Sequence, residues 1–379
     1  MTATAYLTGL GRYLPGAPVR NDDVASRLGG VDRRTERIRR RIQNANGIQQ
    51  RYYAMDTEGR TTELNEELAA KAVTAALADR GLEASDLGML ATATTQGDLL
   101  VPGFASMVHG RLGGGPMQVL TATGVCASSI AALDAAVSKI RLGDHARAAV
   151  VGSELSSRWL HQRRFEGVED HLDAHFLRWM LSDGAGAAIV EFQPRPDRPS
   201  LRVDWVRQVS LAHEHEVCMR AGLHGNALEP GKTWQDFDDV AGAERAGLLQ
   251  IRQDTSVLGE LAQVGLAQFE ELVELGLVDL KKLDHVICHY STNAFRDVVF
   301  DALAARVPGF DASRWFSNLE TCGNTGAASI YIALDEAWRT GRLQPGQTVL
   351  LAVPESGRFS FGFAHLTVVA PRQQRSTSA

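Results

Sequence analysis

Only four cysteines occur in 379 residues, and none forms a CxxC pair. That spacing excludes a dense disulfide framework and fits a reducing cytoplasm. No uninterrupted apolar run approaches the roughly 18 residues that a membrane-spanning helix needs. The opening residues, MTATAYLTGLGRYLPG, lack the basic start and long apolar stretch of a secretion signal. Basic excess is missing too: the formal net charge of −6 argues against general binding to nucleic acid or to a membrane surface. Low-complexity tracts are absent, and 44% hydrophobic with 22% charged residues is ordinary globular composition. What these absences leave is a cytoplasmic globular protein, too long for one ordinary core.

What is present alternates. AYLTGLGRYLP reads as an opening strand and turn, and LNEELAAKAVTAALADRG as a helix with Leu64, Leu68, Val73 and Leu77 on one side and Gly81 as its stop. LGMLATATT and QVLTATG follow as buried strands. From Cys126 onward, Ile130, Leu133, Val137 and Ile140 mark one helix face, Gly143 ends it, and ARAAVVGSE returns as a strand. Strand–helix–strand units in series predict an α/β protein with buried sheets.

The second half repeats the first. ALADRGLEASDLGMLATATT resembles ELVELGLVDLKKLDHVICHYST, and CASSIAALDAAVSKIRLGDHARAAVVGSE is matched by TGAASIYIALDEAWRTGRLQPGQTVLLAVPES. Two such pairs in the same order point to duplication, with boundaries expected at 1–195 and 196–370 and a flexible tail at 371–379. Duplication would bring equivalent loops of the halves to one side of a shared core. Cys126, His289 and Asn324 would then converge from three distant loops. A helix N-terminus favours thiolate at Cys126, a histidine shuttles protons near neutral pH, and an asparagine donates a hydrogen bond without titrating.

These residues resemble the thiolase superfamily, and within it the β-ketoacyl carrier-protein synthase III group of condensing enzymes. NANGIQQRYYA (44–54), GVCASS, LSDGAGAAIVE (181–191), CGNTGAAS (322–329) and PESGRFSFGFAHL (354–366) match that family's motifs in the expected order. The resemblance implies a duplicated thiolase-like fold, two pseudo-symmetric halves in α-β-α-β-α layers. It implies an acyltransferase in which Cys126 accepts an acyl group, His289 and Asn324 hold an enolate, and the backbone N–H groups of Cys126 and Gly357 form an oxyanion hole. A Claisen condensation with a malonyl- or ketoacyl-carrier thioester would follow. No cofactor is implied beyond coenzyme A or phosphopantetheine thioesters as substrates. The implied partners are acyl carrier protein, acyl-coenzyme A and a second copy of the chain, whose site would be lined by the segment after Pro102.

Departures sharpen the expectation. The usual His-Gln-Ala-Asn is His289-Tyr290-Ser291-Thr292, with Asn293 one place late, and Cys288 replaces the preceding proline. That change leans towards secondary-metabolite biosynthesis. Surplus sequence within 156–180 and 205–260 is expected to shape the acyl tunnel or its cap. Some relatives place a glutamate base before the proline of the dimer-contact helix; here that position is Val101. The run DRRTERIRRRI (32–42) carries six arginines against two acids, so Arg37, Arg40, Arg41 and also Arg51 are candidates for docking a carrier protein or a phosphate. The histidines of HLDAH (171–175) and HEHEVC (213–218) read as surface or lining residues, not as metal ligands. Two rival functions stand beside condensation: acyl transfer from cysteine to an alcohol or amine, and a non-catalytic partner subunit.

Overall fold

Alternating strands and helices of the first half build a sheet in the computed structural model, which describes residues 3–29, 33–165, 172–223, 229–306 and 311–371. The first half contains β1 (Ala5–Tyr13), α1 (Arg33–Asn46), α2 (Asn65–Arg80), β2 (Met89–Thr94), α3 (Phe104–Leu112), β3 (Gln118–Thr123), α4 (Ser128–Leu142), β4 (Arg147–Glu154) and β5 (Gly184–Glu191). The second contains β6 (Ser200–Ser210), α5 (Leu258–Glu274), β7 (His285–Cys288), α6 (Asn293–Arg306), β8 (Trp315–Phe316), α7 (Ser329–Arg339), β9 (Thr348–Glu355) and β10 (Ser360–Val369). His171 and 372–379 lie outside the described residues.

The strand order is β3-β2-β4-β5-β1 in one half and β8-β7-β9-β10-β6 in the other, so the order in the first half recurs in the second. In each, the first three strands of that order pair in parallel and the rest antiparallel. Antiparallel pairing of β1 with β6, Leu7 opposite Leu201, joins them into one ten-stranded sheet.

Period-two alternation assigns the layers. Met89, Ala91 and Ala93 of β2 face a central core, whereas Leu90 faces an outer one. The central core gathers Ile130, Leu133 and Val137 of α4, Ile330 and Leu334 of α7, and strand residues of both halves, Val150 and Leu351 among them. Helices α4 and α7 therefore form the middle layer. Leu68, Val73 and Leu77 of α2 cover one outer face, and Leu266, Phe269 and Leu272 of α5 with Leu303 of α6 cover the other. The result is the expected α-β-α-β-α stack. Strands buried on both faces explain the near-continuous apolar runs.

Two local features hold the halves in register. A Cβ on Gly152 in β4 would sit 2.2 Å from the Ala327 carbonyl oxygen, so only glycine lets the loop before α7 approach this strand. The Tyr331 hydroxyl on α7 donates to the Ser129 carbonyl on α4 at 2.6 Å, a buried bond of roughly 1 kcal/mol. Both tie second-half residues to first-half backbone close to Cys126. No helix among the described residues is long and apolar enough to cross a membrane.

Candidate active site

Three loops deliver three side chains to one cavity. Cys126 lies between β3 and α4 and is 7% exposed. Its carbonyl accepts from the Ser129 N–H at 3.3 Å and the Ser129 hydroxyl at 2.8 Å, which pins the loop to the first helical turn. His289 directly follows β7, and its N–H donates to the Ala352 carbonyl at 2.9 Å, continuing the ladder with β9. Its Nε2 lies 3.0 Å from Cys126 Sγ. Asn324 is held by first-half backbone: its N–H donates to the Met180 carbonyl at 3.2 Å and its carbonyl accepts from the Ser182 N–H at 2.8 Å. The Gly326 N–H donates to Asn324 Oδ1 at 3.0 Å, leaving Nδ2 as the donor end of this side chain.

The cavity that Cys126, His289 and Asn324 line measures about 370 Å³. Most of its walls are apolar. Trp159 and Leu177 come from one of the two surplus segments, and Met219, Ile251 and Leu258 from the other. Arg220 and Arg296 also line it, and 38% of the Arg296 side chain is exposed, so the cavity meets solvent there.

Burial sets the charge states. It pulls His289 down from its ordinary 6.5 to about 4, so the imidazole is neutral at physiological pH. Burial, then Glu355 and Glu154, push the Cys126 thiol well above its usual range. The expectation of a thiolate at rest is thereby corrected. The amide next to the sulfur, Ala127 N–H, is taken up by Glu355 Oε2 at 2.9 Å, so the helix end is no longer available to stabilise negative sulfur. The resting pair is a neutral thiol beside a neutral imidazole.

Two other expectations are modified. Arg51 is not a docking residue: it is 0% exposed, and its guanidinium donates to the Trp179 carbonyl and to Asn21 Oδ1. Arginine suits that place because its fork satisfies several acceptors at once. Arg37, Arg40 and Arg41 are exposed on α1, with Arg40 paired to Glu36 at 2.7 Å. Gly357 sits behind the nucleophile loop: its carbonyl accepts from the Cys218 and Met219 N–H groups, and a Cβ there would lie 3.0 Å from Val125 and from Glu355. Its neighbours Pro354 and Ser356 line the cavity. Of the remaining histidines singled out, His175 is neither at the surface nor on the lining but buried, its ring tilted against Phe165 at 5.3 Å, and His215 stacks on Phe359 at 3.9 Å.

The residues that sequence reasoning missed are Glu154 and Glu355. Each closes a strand of the repeated unit, VVGSE in one half and AVPES in the other, and that correspondence was a readable signal. Glu154 lines the cavity; burial lifts its carboxyl to about 7.

Residues 121–206 match the family model for 3-oxoacyl-[acyl-carrier-protein] synthase III, and residues 276–365 match the model of its C-terminal part. Among solved structures, the 3-oxoacyl-(acyl carrier protein) synthase III of Pseudomonas aeruginosa PAO1 is 25% identical, with 96% of this chain and 98% of that one covered and a TM-score of 0.72. AbyA1, a tetronic acid condensing enzyme, is 20% identical over 96% of this chain and 99% of its own, with a TM-score of 0.75. OleA of Xanthomonas campestris, solved with lauric acid and lauroyl-CoA, is 18% identical over 97% and 100%, also with a TM-score of 0.75. At these identities the last two speak to the fold. With a buried cysteine–histidine pair at the meeting point of two like halves and both family models matched in order, the chain belongs to the 3-oxoacyl-[acyl-carrier-protein] synthase III-like condensing enzymes of the thiolase superfamily, and is an enzyme of the acyltransferase class.

Proposed function

We propose that this enzyme loads an acyl group on Cys126 and joins it to a carrier-bound malonyl or ketoacyl thioester in secondary-metabolite biosynthesis. The observation that carries this reading is the 3.0 Å approach of His289 Nε2 to Cys126 Sγ in a cavity that Asn324 also lines. In the first step His289 takes the thiol proton, the sulfur attacks the donor thioester carbonyl, and the departing thiol of coenzyme A or carrier receives that proton. The Cys126 N–H and, with it, the Gly357 N–H would hold the oxyanion. In the second step carbon dioxide leaves the malonyl unit. The enolate oxygen accepts from Asn324 Nδ2 and from the His289 tautomer protonated on Nε2. The enolate carbon then attacks the acyl-cysteine, the carbon–sulfur bond breaks, and the sulfur leaves as thiolate and takes a proton from solvent to restore the Cys126 thiol.

Incubation with an acyl thioester and malonyl carrier protein tests this. Release of carbon dioxide with a ketoacyl product supports condensation. An ester or amide product without carbon dioxide would replace it by acyl transfer, and a bare Cys126 in intact-protein mass spectrometry by a non-catalytic role.

The cavity lining supports an apolar acyl group. Leu266, Phe269, Val286, Val299, Leu303 and Phe363 extend the walls between α5, α6 and the second-half sheet, with no charged side chain among them. Gly265 lies on this wall, where a Cβ would meet Phe361 at 3.0 Å. Gly265→Leu is expected to shift preference to shorter acyl chains, lowering kcat/KM for long-chain donors about tenfold relative to short ones. A chain-length series of acyl thioesters reads this directly; an unaltered series would remove the chain from this part of the cavity.

A carrier-protein or coenzyme A donor is supported by Arg220 and Arg296 on the lining and by exposed Arg37, Arg40 and Arg41, cations suited to phosphate and carboxylate. A homodimer is supported by the adjacent Leu99, Leu100 and Val101, which are 50%, 75% and 81% exposed. Scattering mass is expected at twice the chain mass of 41.1 kDa, and a monomer at assay concentration counts against it. The composition and the cysteine usage support a cytoplasmic setting.

A further inference from the structure

The duplication places two glutamates at equivalent strand ends, and each caps the central helix of the opposite half. Glu154 Oε1, ending β4, accepts from the Thr95 N–H at 3.0 Å, the Thr95 hydroxyl at 2.8 Å and the Ala327 N–H at 3.3 Å, just before α7. Glu355, ending β9, accepts from the Ala127 N–H at 2.9 Å, just before α4. The two arrangements share one logic, a carboxylate on the amides at a helix start. They differ in what stands next to the capped amide: Ala127 directly follows Cys126, so Glu355 grips the nucleophile loop one residue from the sulfur.

We propose that Glu355 is a positioning residue of this active site: from behind the loop it fixes the backbone at the residue after Cys126, and its charge cancels the helix end that would otherwise favour thiolate. This rests on Cys126 being the acyl acceptor. Glu355 acts through the loop and does not touch substrate, because Pro354 and Ser356 line the cavity and Glu355 itself does not. Burial pushes its carboxyl up, and the Ala127 amide at 2.9 Å favours its charged form. Around the sulfur, the titratable groups are His289 at the end of β7, Glu154 at the end of β4 and Glu355 at the end of β9. Glu355 is the carboxylate bonded to the loop that carries the sulfur, so removing its charge eases ionisation of the thiol. The consequence is a nucleophile kept as thiol until a thioester and His289 draw off its proton. A resting thiol resists stray oxidation and alkylation.

Glu355→Gln tests this, since the amide oxygen can still accept from Ala127 while the charge is gone. Alkylation of Cys126 by iodoacetamide, followed by mass spectrometry across pH 6 to 10, is expected to run about five- to tenfold faster in the variant at neutral pH, with its midpoint moved down. A profile matching wild type overturns the proposal. Glu355→Asp supplies a second reading: it keeps the charge but shortens the reach, so kcat for acyl transfer is expected to fall with KM unchanged. An equal change in both constants, or none, also overturns it. Alkylation does not depend on condensation. Failure of wild-type Cys126 to take an acyl group therefore removes the acyl-acceptor reading alone, and an unchanged Glu355→Gln profile removes the positioning role alone.

Discussion

Cys126→Ala is expected to form no acyl-enzyme and to lose condensation by on the order of 10³-fold or more, while still releasing carbon dioxide from malonyl thioester. The two outcomes separate because the groups that hold the enolate, His289 and Asn324, remain in place. The substitution removes one buried atom from a loop tied down by Ser129 and Glu355, so the fold is expected to survive with a cost of about 1 kcal/mol. No other thiol can replace it. Cys288 lines the same cavity, but its sulfur contacts the His289 carbonyl at 3.3 Å and burial raises its pKa. Cys218 is pushed up to about 12 and is held by Gln253 at 2.7 Å. Intact-mass measurement of the adduct and a carbon dioxide assay check both halves of the prediction; condensation at wild-type rate in the variant would remove Cys126 from the chemistry.

His289→Ala is expected to damage both steps: acylation loses its proton acceptor and decarboxylation loses an enolate donor. Removal of one such donor costs about 3–4 kcal/mol, a fall in decarboxylation of roughly 10²–10³-fold. The pH response follows from burial. Because His289 titrates near 4 and not near 6.5, it stays an effective proton acceptor across neutral pH, and the acylation rate of the wild type should show no histidine inflection between pH 5.5 and 8. Activity should decline only as pH approaches 4. Stability moves in the same direction. Below about 6.5 the unfolded chain binds a proton that the folded chain refuses until about 4, so this residue costs stability as pH falls through that window. Stopped-flow acylation against pH checks the kinetic claim, and an inflection near 6.5 would mean that the imidazole is solvated in the working enzyme.

Much of the fold was legible because strands buried on both faces read as apolar runs and helices end where they must. Gly81 and Gly143 do stop α2 and α4, each with positive φ. Repetition was legible too, because SIAALD and SIYIALD serve equivalent helices of the middle layer. Motif order combined with that repetition singled out Cys126, His289 and Asn324, which line one cavity. Arg51 was misread, since an arginine near a basic helix looks the same in sequence whether its head reaches solvent or the Trp179 carbonyl.

The sequence alone determined the α/β class, the duplication and the candidates Cys126, His289 and Asn324, because periodicity, glycine stops and motif order are properties of neighbouring residues. Tertiary structure alone decided the ionisation of those groups and the company they keep. Glu355 stands 228 positions from Ala127, yet its carboxylate caps that amide, and the depth of the cavity is what holds His289 neutral. Desolvation and charge act through space over a few ångströms, and no local pattern records which distant residues the fold will bring that close.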